Sequence, residues 1–209
     1  MSDLDIIRRV VAAERDALSR LIDAIPAQVG ELLDQLERLT GRLIVVGLGK
    51  SGIAGRKIAA TFNSTGVAAV YLHPSEAMHG DLGIVSSNDL AFCISHSGET
   101  DEVISLIPHF ERLGVTSVSI TSRADLTLAK LTQLALIVPH EMEADGWNLI
   151  PTCSTMVVLA LCDALAIANL ERCGFTVDQF AEVHPGGSLG RKSLLRVRDL
   201  EPIRKPLLA

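Results

Sequence analysis

The chain has 209 residues, of which 48% are hydrophobic and 21% are charged, with a formal net charge of -6. This composition is ordinary for a globular protein and excludes disorder for most of the chain, and at about 150 residues per domain the length predicts one domain. The acidic balance argues against nucleic-acid binding, because a basic surface supplies most of that affinity. The most apolar stretch, residues 153–165, contains Asp163 and is too short to span a bilayer, so no membrane association is expected.

The N-terminal sequence and the cysteines both indicate the cellular compartment of the protein. The first ten residues carry acidic side chains and no apolar signal core, which predicts a cytoplasmic protein. The four cysteines form no C-x-x-C pair and lie in apolar or helical settings: Cys93, Cys153, Cys162 and Cys173. We expect buried free thiols there rather than disulfides.

Two helices are predicted at the start of the chain. Over residues 3–39, apolar side chains recur at spacings of three and four, which is the period of an amphipathic helix. Pro26 interrupts the run, so a second helix is expected from about residue 27 to residue 39. A helical extension over about residues 1–40 should therefore precede the rest of the fold.

Strands and helices are predicted to alternate after this extension. Short apolar runs typical of buried strands occupy 43–48, 68–73, 90–95, 115–121 and 133–139. Helices are expected at 52–64, about 101–113, about 124–131, 152 to about 173, and 176–181. Such alternation favours an α/β three-layer sandwich, flavodoxin-like or Rossmann-like, with a five-stranded parallel sheet flanked by helices. Ligands of these sheets bind where loops leave the carboxyl ends of the strands.

The loop after the first predicted strand is rich in glycine. Its sequence, GLGKSG at 47–52, matches G-x-G-x-x-G between a strand and a helix. A dinucleotide site needs an acid at the end of the second strand, but none occurs before Glu76; a Walker A motif needs a glycine where Ile44 stands. A tight turn without a ligand and a phosphate site at a helix N-terminus both remain open. In the phosphate interpretation, Ser51 adds a hydroxyl donor and Lys50 a positive charge.

The loop after the third predicted strand carries three hydroxyl groups. It reads SHSGET at 95–100 and opens the next helix. Ser97 or Thr100 could act as an N-cap, with Glu99 in the first turn, but capping needs only one hydroxyl. A cradle of Ser95, Ser97 and Thr100 around a phosphate uses all three, so we favour the phosphate site.

These two loops resemble the sugar isomerase (SIS) domain, a family of phosphosugar-binding proteins. The motifs that carry the resemblance are G-x-G-x-S-G at 47–52 and S-x-S-G-E-T at 95–100, after the first and third strands. The resemblance implies a five-stranded parallel sheet and a phosphate site built mainly from the second loop. It implies that Ser51, Ser95, Ser97 and Thr100 bind the phosphate. We expect Gly49, His79 and His96 to contribute to substrate binding as well.

Three further segments are similar to arabinose 5-phosphate isomerases. They are HPSEAMHGDLG at 73–83, PTCST at 151–155 and HPGGSLGRK at 184–192, where Val183 replaces the serine of the family pattern. The resemblance covers about residues 30–200. It implies one SIS domain over 1–209 with its phosphosugar-binding core at about 41–200, and without the paired CBS modules that many of these isomerases carry.

The resemblance implies an aldose–ketose isomerase that interconverts D-arabinose 5-phosphate and D-ribulose 5-phosphate through an enediolate, without metal or cofactor. The catalytic residues that it implies are Lys50, Glu99, Glu143 and His184. We assign Glu143 as the base, although counting from the preceding strand favours Glu141 instead. Asp145 and Gly146 replace the C-P pair of the family pattern near the expected sugar position.

Alternatives stay open for function and for individual residues. The chain could be a phosphosugar-binding sensor without catalysis, or an isomerase of another sugar phosphate such as a hexulose 6-phosphate. The acidic segment 141–145 could be solvated, His184 could terminate a helix and His79 could be a core histidine. The resemblance implies a dimer or a tetramer with sites completed by a neighbouring subunit, and we expect a homotetramer.

Overall fold

A five-stranded parallel sheet forms the centre of the molecule. The computed structural model describes residues 2–139 and 142–185. The strands are β1 (Leu43–Gly47), β2 (Ala69–Leu72), β3 (Leu90–Ile94), β4 (Thr116–Thr121) and β5 (Leu134–Ile137). Their order is β2-β1-β3-β4-β5, and every neighbouring pair is parallel. The predicted α/β class is confirmed, and the order is the flavodoxin-like one.

Helices cover both faces of this sheet. They are α1 (Asp3–Asp23), α2 (Val29–Glu37), α3 (Gly49–Ser64), α4 (Pro74–Ala77), α5 (Asp101–Ile104), α6 (Ile107–Leu113), α7 (Thr127–Leu131), α8 (Cys153–Arg172) and α9 (Val177–Val183). A short 3-10 helix spans Asp81–Ile84. The prediction of one helix over 101–113 is wrong, because the chain breaks between α5 and α6. Pro108, near the start of α6, lacks an N–H group and disfavours helical geometry in the residue before it.

The side chains of the central strands alternate between two hydrophobic clusters. Leu43 and Val45 face the cluster formed with α1, α2, α3 and α8, whereas Ile44 and Val46 face the cluster formed with α4, α5 and α6. All four are fully buried. Burial on both faces explains why β1 is continuously apolar, as in other parallel sheets.

Helix α8 closes the larger of the two clusters. It packs against α1, α2 and α3. By length and composition alone it could cross a membrane, but half of its apolar window is buried inside the fold. The core helix of a globular protein has the same composition, so α8 gives only weak support for a membrane span.

The cysteines follow the sequence expectation with one exception. Cys93, Cys153 and Cys162 are buried free thiols, as predicted, whereas Cys173 is exposed. Burial raises the pKa of Cys93 and of Cys162 to about 12. These two thiols therefore stay protonated and unreactive near neutral pH.

Candidate active site

A cavity of about 370 Å³ opens at the carboxyl edge of the sheet, where loops leave β1 and β3. It is lined by Leu48, Lys50, Ser51, Ala54, Ile94, Ser95, His96, Ser97, Thr100, Glu143, Asn148, Leu149, Pro151, Ser154, Thr155 and Val158. The connection after β1 runs to β2 on one side and the connection after β3 runs to β4 on the other side, so the cavity lies at the topological switch point of the sheet. The loops that the sequence indicated, after the first and third strands, therefore meet in one place.

Three hydroxyl groups cluster in the loop at 95–100, which we call the hydroxyl cradle. The Ser95 Oγ lies 2.8 Å from the Thr100 Oγ1 and 3.4 Å from the Ser97 Oγ. The Gly98 N–H donates to the Ser95 Oγ at 3.1 Å. Several donors thus converge on one small volume, which suits an anion with several acceptor oxygens.

Gly98 allows the hydroxyl cradle to fold this tightly. Its φ of +63° lies in the left-handed region, which glycine adopts without steric cost. A Cβ atom at this position would lie 2.7 Å from the Leu126 Cβ and 2.8 Å from the Thr121 Oγ1. The glycine of the S-G-E motif is therefore required for the packing of this loop against Leu126 and Thr121.

The start of α3 forms the opposite wall of the cavity. Lys50 and Ser51 occupy the first turn and both line the cavity. Among the described residues, no side chain caps this end of α3 by a hydrogen bond, so its first N–H groups can face an anion. Gly52 lets α3 approach β1 closely, because a Cβ atom there would lie 2.7 Å from the Gly47 carbonyl oxygen. This close packing explains why the third glycine of the G-x-G-x-x-G motif is required, and no bound dinucleotide is needed to explain it.

Glu143 lines the cavity and is tied to the start of α8. Its Oε2 accepts hydrogen bonds from the Thr152 N–H at 2.8 Å and the Thr152 hydroxyl at 3.0 Å. The Ser154 N–H donates to the same oxygen at 3.4 Å, and the Ser154 hydroxyl donates to Oε1. The carboxylate therefore caps a long helix at its positive end, where an anion is stabilised.

This environment keeps Glu143 ionised. Partial burial opposes ionisation, but the hydrogen bonds from Ser154 and Thr152 together outweigh it, and the pKa of Glu143 lies below its ordinary value. Hydrogen bonds to the charged form of a carboxyl group always act in this direction. Glu143 is thus an anion near neutral pH that faces the same cavity as the hydroxyl cradle and Lys50.

Glu99 lies outside the cavity, although the resemblance implied that it is catalytic. Its Oε1 accepts a hydrogen bond from the Thr127 N–H at 2.8 Å, at the start of α7. Hydrogen bonds from the Thr127 backbone and side chain lower the pKa of Glu99. In this chain the carboxylate holds α7 beside the hydroxyl cradle, and it does not reach the cavity lining.

His184 lies far from the cavity of its own chain. Its Nε2 is 3.2 Å from the Ser64 Oγ, its Nδ1 is 3.0 Å from the Phe180 carbonyl oxygen, and its ring stacks on Phe180. Ser64 ends the 16-residue helix α3, whose first turn lines the cavity. At about 1.5 Å per residue, roughly 20 Å separate the two ends of that helix.

Two other predicted site residues also fall outside the cavity lining. His79 follows the edge strand β2 and is exposed, so the alternative of a core histidine is wrong. Gly49 begins α3 with a φ of +57° and shapes the loop rather than lining it. Glu141, the alternative base, lies outside the described residues, as does the segment from residue 186 onward.

The loop between β5 and α8 and the first turn of α8 supply lining residues that the sequence did not single out. They are Asn148, Leu149, Pro151, Ser154 and Thr155. Asn148 has a φ of 58° and accepts a hydrogen bond from the Glu143 N–H at 2.6 Å through its Oδ1. The sequence signal for three of them, Pro151, Ser154 and Thr155, is the PTCST run at 151–155. Among the described residues, no group of three or more His, Cys, Asp or Glu is arranged to hold a metal ion.

Comparison with known proteins identifies the family of this chain. The sequence profile of the SIS domain matches residues 38–168. Arabinose 5-phosphate isomerase KdsD of Pseudomonas aeruginosa is 45% identical over 201 residues, covering 95% of this chain and 62% of the relative. The enzyme of the same name from Escherichia coli K12 is 44% identical over 193 residues, covering 92% of this chain and 59% of the relative. The chain thus spans about three fifths of the length of these relatives.

One solved structure is similar along its whole length. It is a protein of E. coli CFT073 in complex with arabinose 5-phosphate, with a TM-score of 0.85 and 37% sequence identity. The similarity covers 88% of this chain and 100% of that one. A chain that matches a complete structure at this identity shares its fold and its family.

Proposed function

The chain belongs to the SIS domain family, and we propose that it is an aldose–ketose isomerase that interconverts D-arabinose 5-phosphate and D-ribulose 5-phosphate. One observation carries the proposal: an anion site and an ionised carboxylate line the same cavity. A binding protein without catalysis needs the anion site but has no use for a base. The names of the two isomerase relatives and the sugar phosphate bound to the structural neighbour support the choice of sugar.

The phosphate would anchor the substrate in the hydroxyl cradle. Ser95, Ser97 and Thr100 would exchange their bonds to one another for bonds to phosphate oxygens, and the Ser51 hydroxyl and the first N–H groups of α3 would add donors. Lys50 would supply the positive charge at this wall of the cavity. Holding the remote phosphate fixes the sugar carbons relative to the base, which lowers the entropic part of the barrier.

Glu143 would act as the base of the isomerisation. It removes the proton from C2 of the aldose, giving a cis-enediolate, and returns a proton to C1 to form the ketose. Its hydrogen bonds to α8 fix the direction of the carboxylate but lower its basicity. Lys50 would offset this by stabilising the negative charge that develops on the enediolate oxygens.

Transfer of a proton between O1 and O2 calls for a further group, and we assign this role to His184, which the family resemblance implies is catalytic. Because His184 lies roughly 20 Å from the cavity of its own chain, a second copy would have to supply it. We therefore propose a homotetramer whose active sites are completed across subunit interfaces. We also propose that this homotetramer is cytoplasmic, as the N-terminal sequence predicts. The exposed apolar side chains of α1, including Leu4, Ile7 and Val11, are available for such contacts. A monomer in light scattering would contradict this assembly.

A panel of sugar phosphates tests the proposed reaction. The purified chain is incubated with arabinose 5-phosphate, ribose 5-phosphate, glucose 6-phosphate and a hexulose 6-phosphate, and each aldose–ketose conversion is followed by NMR. We expect conversion of arabinose 5-phosphate to ribulose 5-phosphate with the highest kcat/KM. Conversion of the hexulose phosphate alone would identify another isomerase, and binding without any conversion would identify a sensor.

A further inference from the structure

The loop at 142–152, which we call the site loop, is braced internally by the carboxylate of Asp145. Asp145 accepts hydrogen bonds from the N–H groups of Trp147 at 2.8 Å, Leu149 at 3.0 Å and Ile150 at 2.8 Å. These bonds give the site loop an internal scaffold. They do not fix where the loop as a whole sits relative to the sheet.

Two attachments fix the position of the site loop. The first is the carboxylate of Glu143, which binds the start of α8. The second is the carbonyl oxygen of the next residue, Ala144, which accepts a hydrogen bond of 2.7 Å from Nη1 of Arg9, a residue 135 positions away in α1. Ala144 is buried and its N–H donates to the Thr152 Oγ1 at 2.9 Å, so both peptide groups that flank its Cα are bonded.

Arg9 projects from a well-anchored part of α1. The neighbouring side chains Val10 and Ala13 pack against the larger hydrophobic cluster, and α1 lies along α8. The guanidinium group therefore links the site loop to a helix that is itself packed on the same core. Because α1 precedes the segment matched by the SIS profile, this link comes from outside that segment.

We propose that Arg9 is a positioning residue. By its hydrogen bond to the Ala144 carbonyl oxygen, it fixes the position of the Glu143 carboxylate relative to the bound sugar. The inference rests on the proposed function of Glu143 as the base. Arg9 acts on the position of Glu143 because its guanidinium donates to the Ala144 backbone carbonyl and not to the Glu143 carboxylate. A shift of about 1 Å in a reacting group can cost about a hundredfold in rate, so a lost tether should appear in turnover.

Kinetics of Arg9→Ala against Arg8→Ala test this role. Arg8 is the preceding, exposed residue of the same helix, and the contacts described for residues 2–139 and 142–185 give its side chain no partner. We expect Arg9→Ala to lower kcat about tenfold or more with KM nearly unchanged. The acid limb of the pH profile should not move. Arg8→Ala should match the wild type.

Chemical rescue separates positioning from a general loss of structure. Ethylguanidinium added to Arg9→Ala should restore part of kcat, and Arg9→Lys should retain an intermediate kcat because an ammonium group can also donate to a carbonyl. A low kcat that neither change restores, together with a lower melting temperature, would overturn the proposal in favour of a structural role. An unchanged kcat in Arg9→Ala would also overturn it.

Tryptophan fluorescence tests the tether without any activity measurement. The chain contains one tryptophan, Trp147, which lies in the site loop and is 76% exposed. In Arg9→Ala its anisotropy should fall and its quenching by acrylamide should rise, whereas Arg8→Ala should leave both unchanged. If no sugar phosphate is converted by the wild type, the proposed function fails but this result can still stand. Identical anisotropy and quenching in all three proteins would refute the tether itself.

Discussion

The hydroxyl cradle and the site loop line the same cavity but are built in opposite ways. The polar atoms of the cradle come from six consecutive residues, 95–100, and bond mainly to one another. The site loop positions Glu143 through Thr152 and Ser154 at the start of α8, and through Arg9, which bonds to Ala144 across 135 positions of the sequence. The first region is formed by contacts within one short motif, whereas the second depends on tertiary contacts.

This difference matches the tasks that we propose for the two regions. Hydroxyls that bond weakly to each other can exchange those bonds for a phosphate at little cost, because hydrogen bonds are only replaced. A base must hold one direction relative to a carbon atom, and several bonds to a rigid helix end provide that. Changes in the cradle should therefore affect substrate binding, and changes around Glu143 should affect turnover.

The largest expected effect belongs to Glu143→Gln. Removing a general base should lower kcat by about 10²–10⁴-fold, while KM changes little because the cradle is intact. Steady-state kinetics with arabinose 5-phosphate measure both constants. Glu99→Gln is the matched comparison, since Glu99 bonds to Thr127 outside the cavity and its loss should act on stability more than on kcat. Equal losses of kcat in the two variants would remove the distinction between these carboxylates.

A smaller effect is expected in the cradle, where Ser97→Ala removes one phosphate donor. A hydrogen bond to a charged group contributes about 1.5–3 kcal/mol, so KM should rise about tenfold or more while kcat falls less. Ser105→Ala provides the control, because its hydroxyl donates to the Glu102 carbonyl oxygen, away from the cavity. An effect of Ser97→Ala confined to kcat would place this hydroxyl in the chemical step instead.

The smallest predicted effect is a displacement of the pH profile in Ser154→Ala. The Ser154 hydroxyl stabilises the charged form of Glu143, so its removal should raise the pKa of Glu143 toward the ordinary value. The base works when deprotonated, and activity falls as the pH drops through its pKa. The acid limb of kcat/KM should therefore move to higher pH in the variant. A limb that stays in place, or moves to lower pH, would show that Glu143 does not set it.

The same contrast explains what could be predicted from the sequence. The five strands and the cradle could be predicted from local patterns, because apolar runs and closely spaced hydroxyls are recognisable within a few consecutive residues. The site loop carried no such pattern, and counting along the chain left Glu141 and Glu143 as alternatives. Glu99 illustrates the limit, because the family resemblance implied a catalytic role for it, whereas its side chain turns toward α7. Which way a side chain points depends on neighbours far away in the sequence.

Solvent exchange tests the central claim, which is proton transfer by a base in this cavity, most directly. Ribulose 5-phosphate is incubated with the wild type and with Glu143→Gln in heavy water, and the products are followed by proton NMR. The wild type should form arabinose 5-phosphate that carries deuterium at C2. Glu143→Gln should bind the sugar phosphate without comparable exchange. Binding by the wild type with neither conversion nor exchange, or undiminished exchange in Glu143→Gln, would contradict the account.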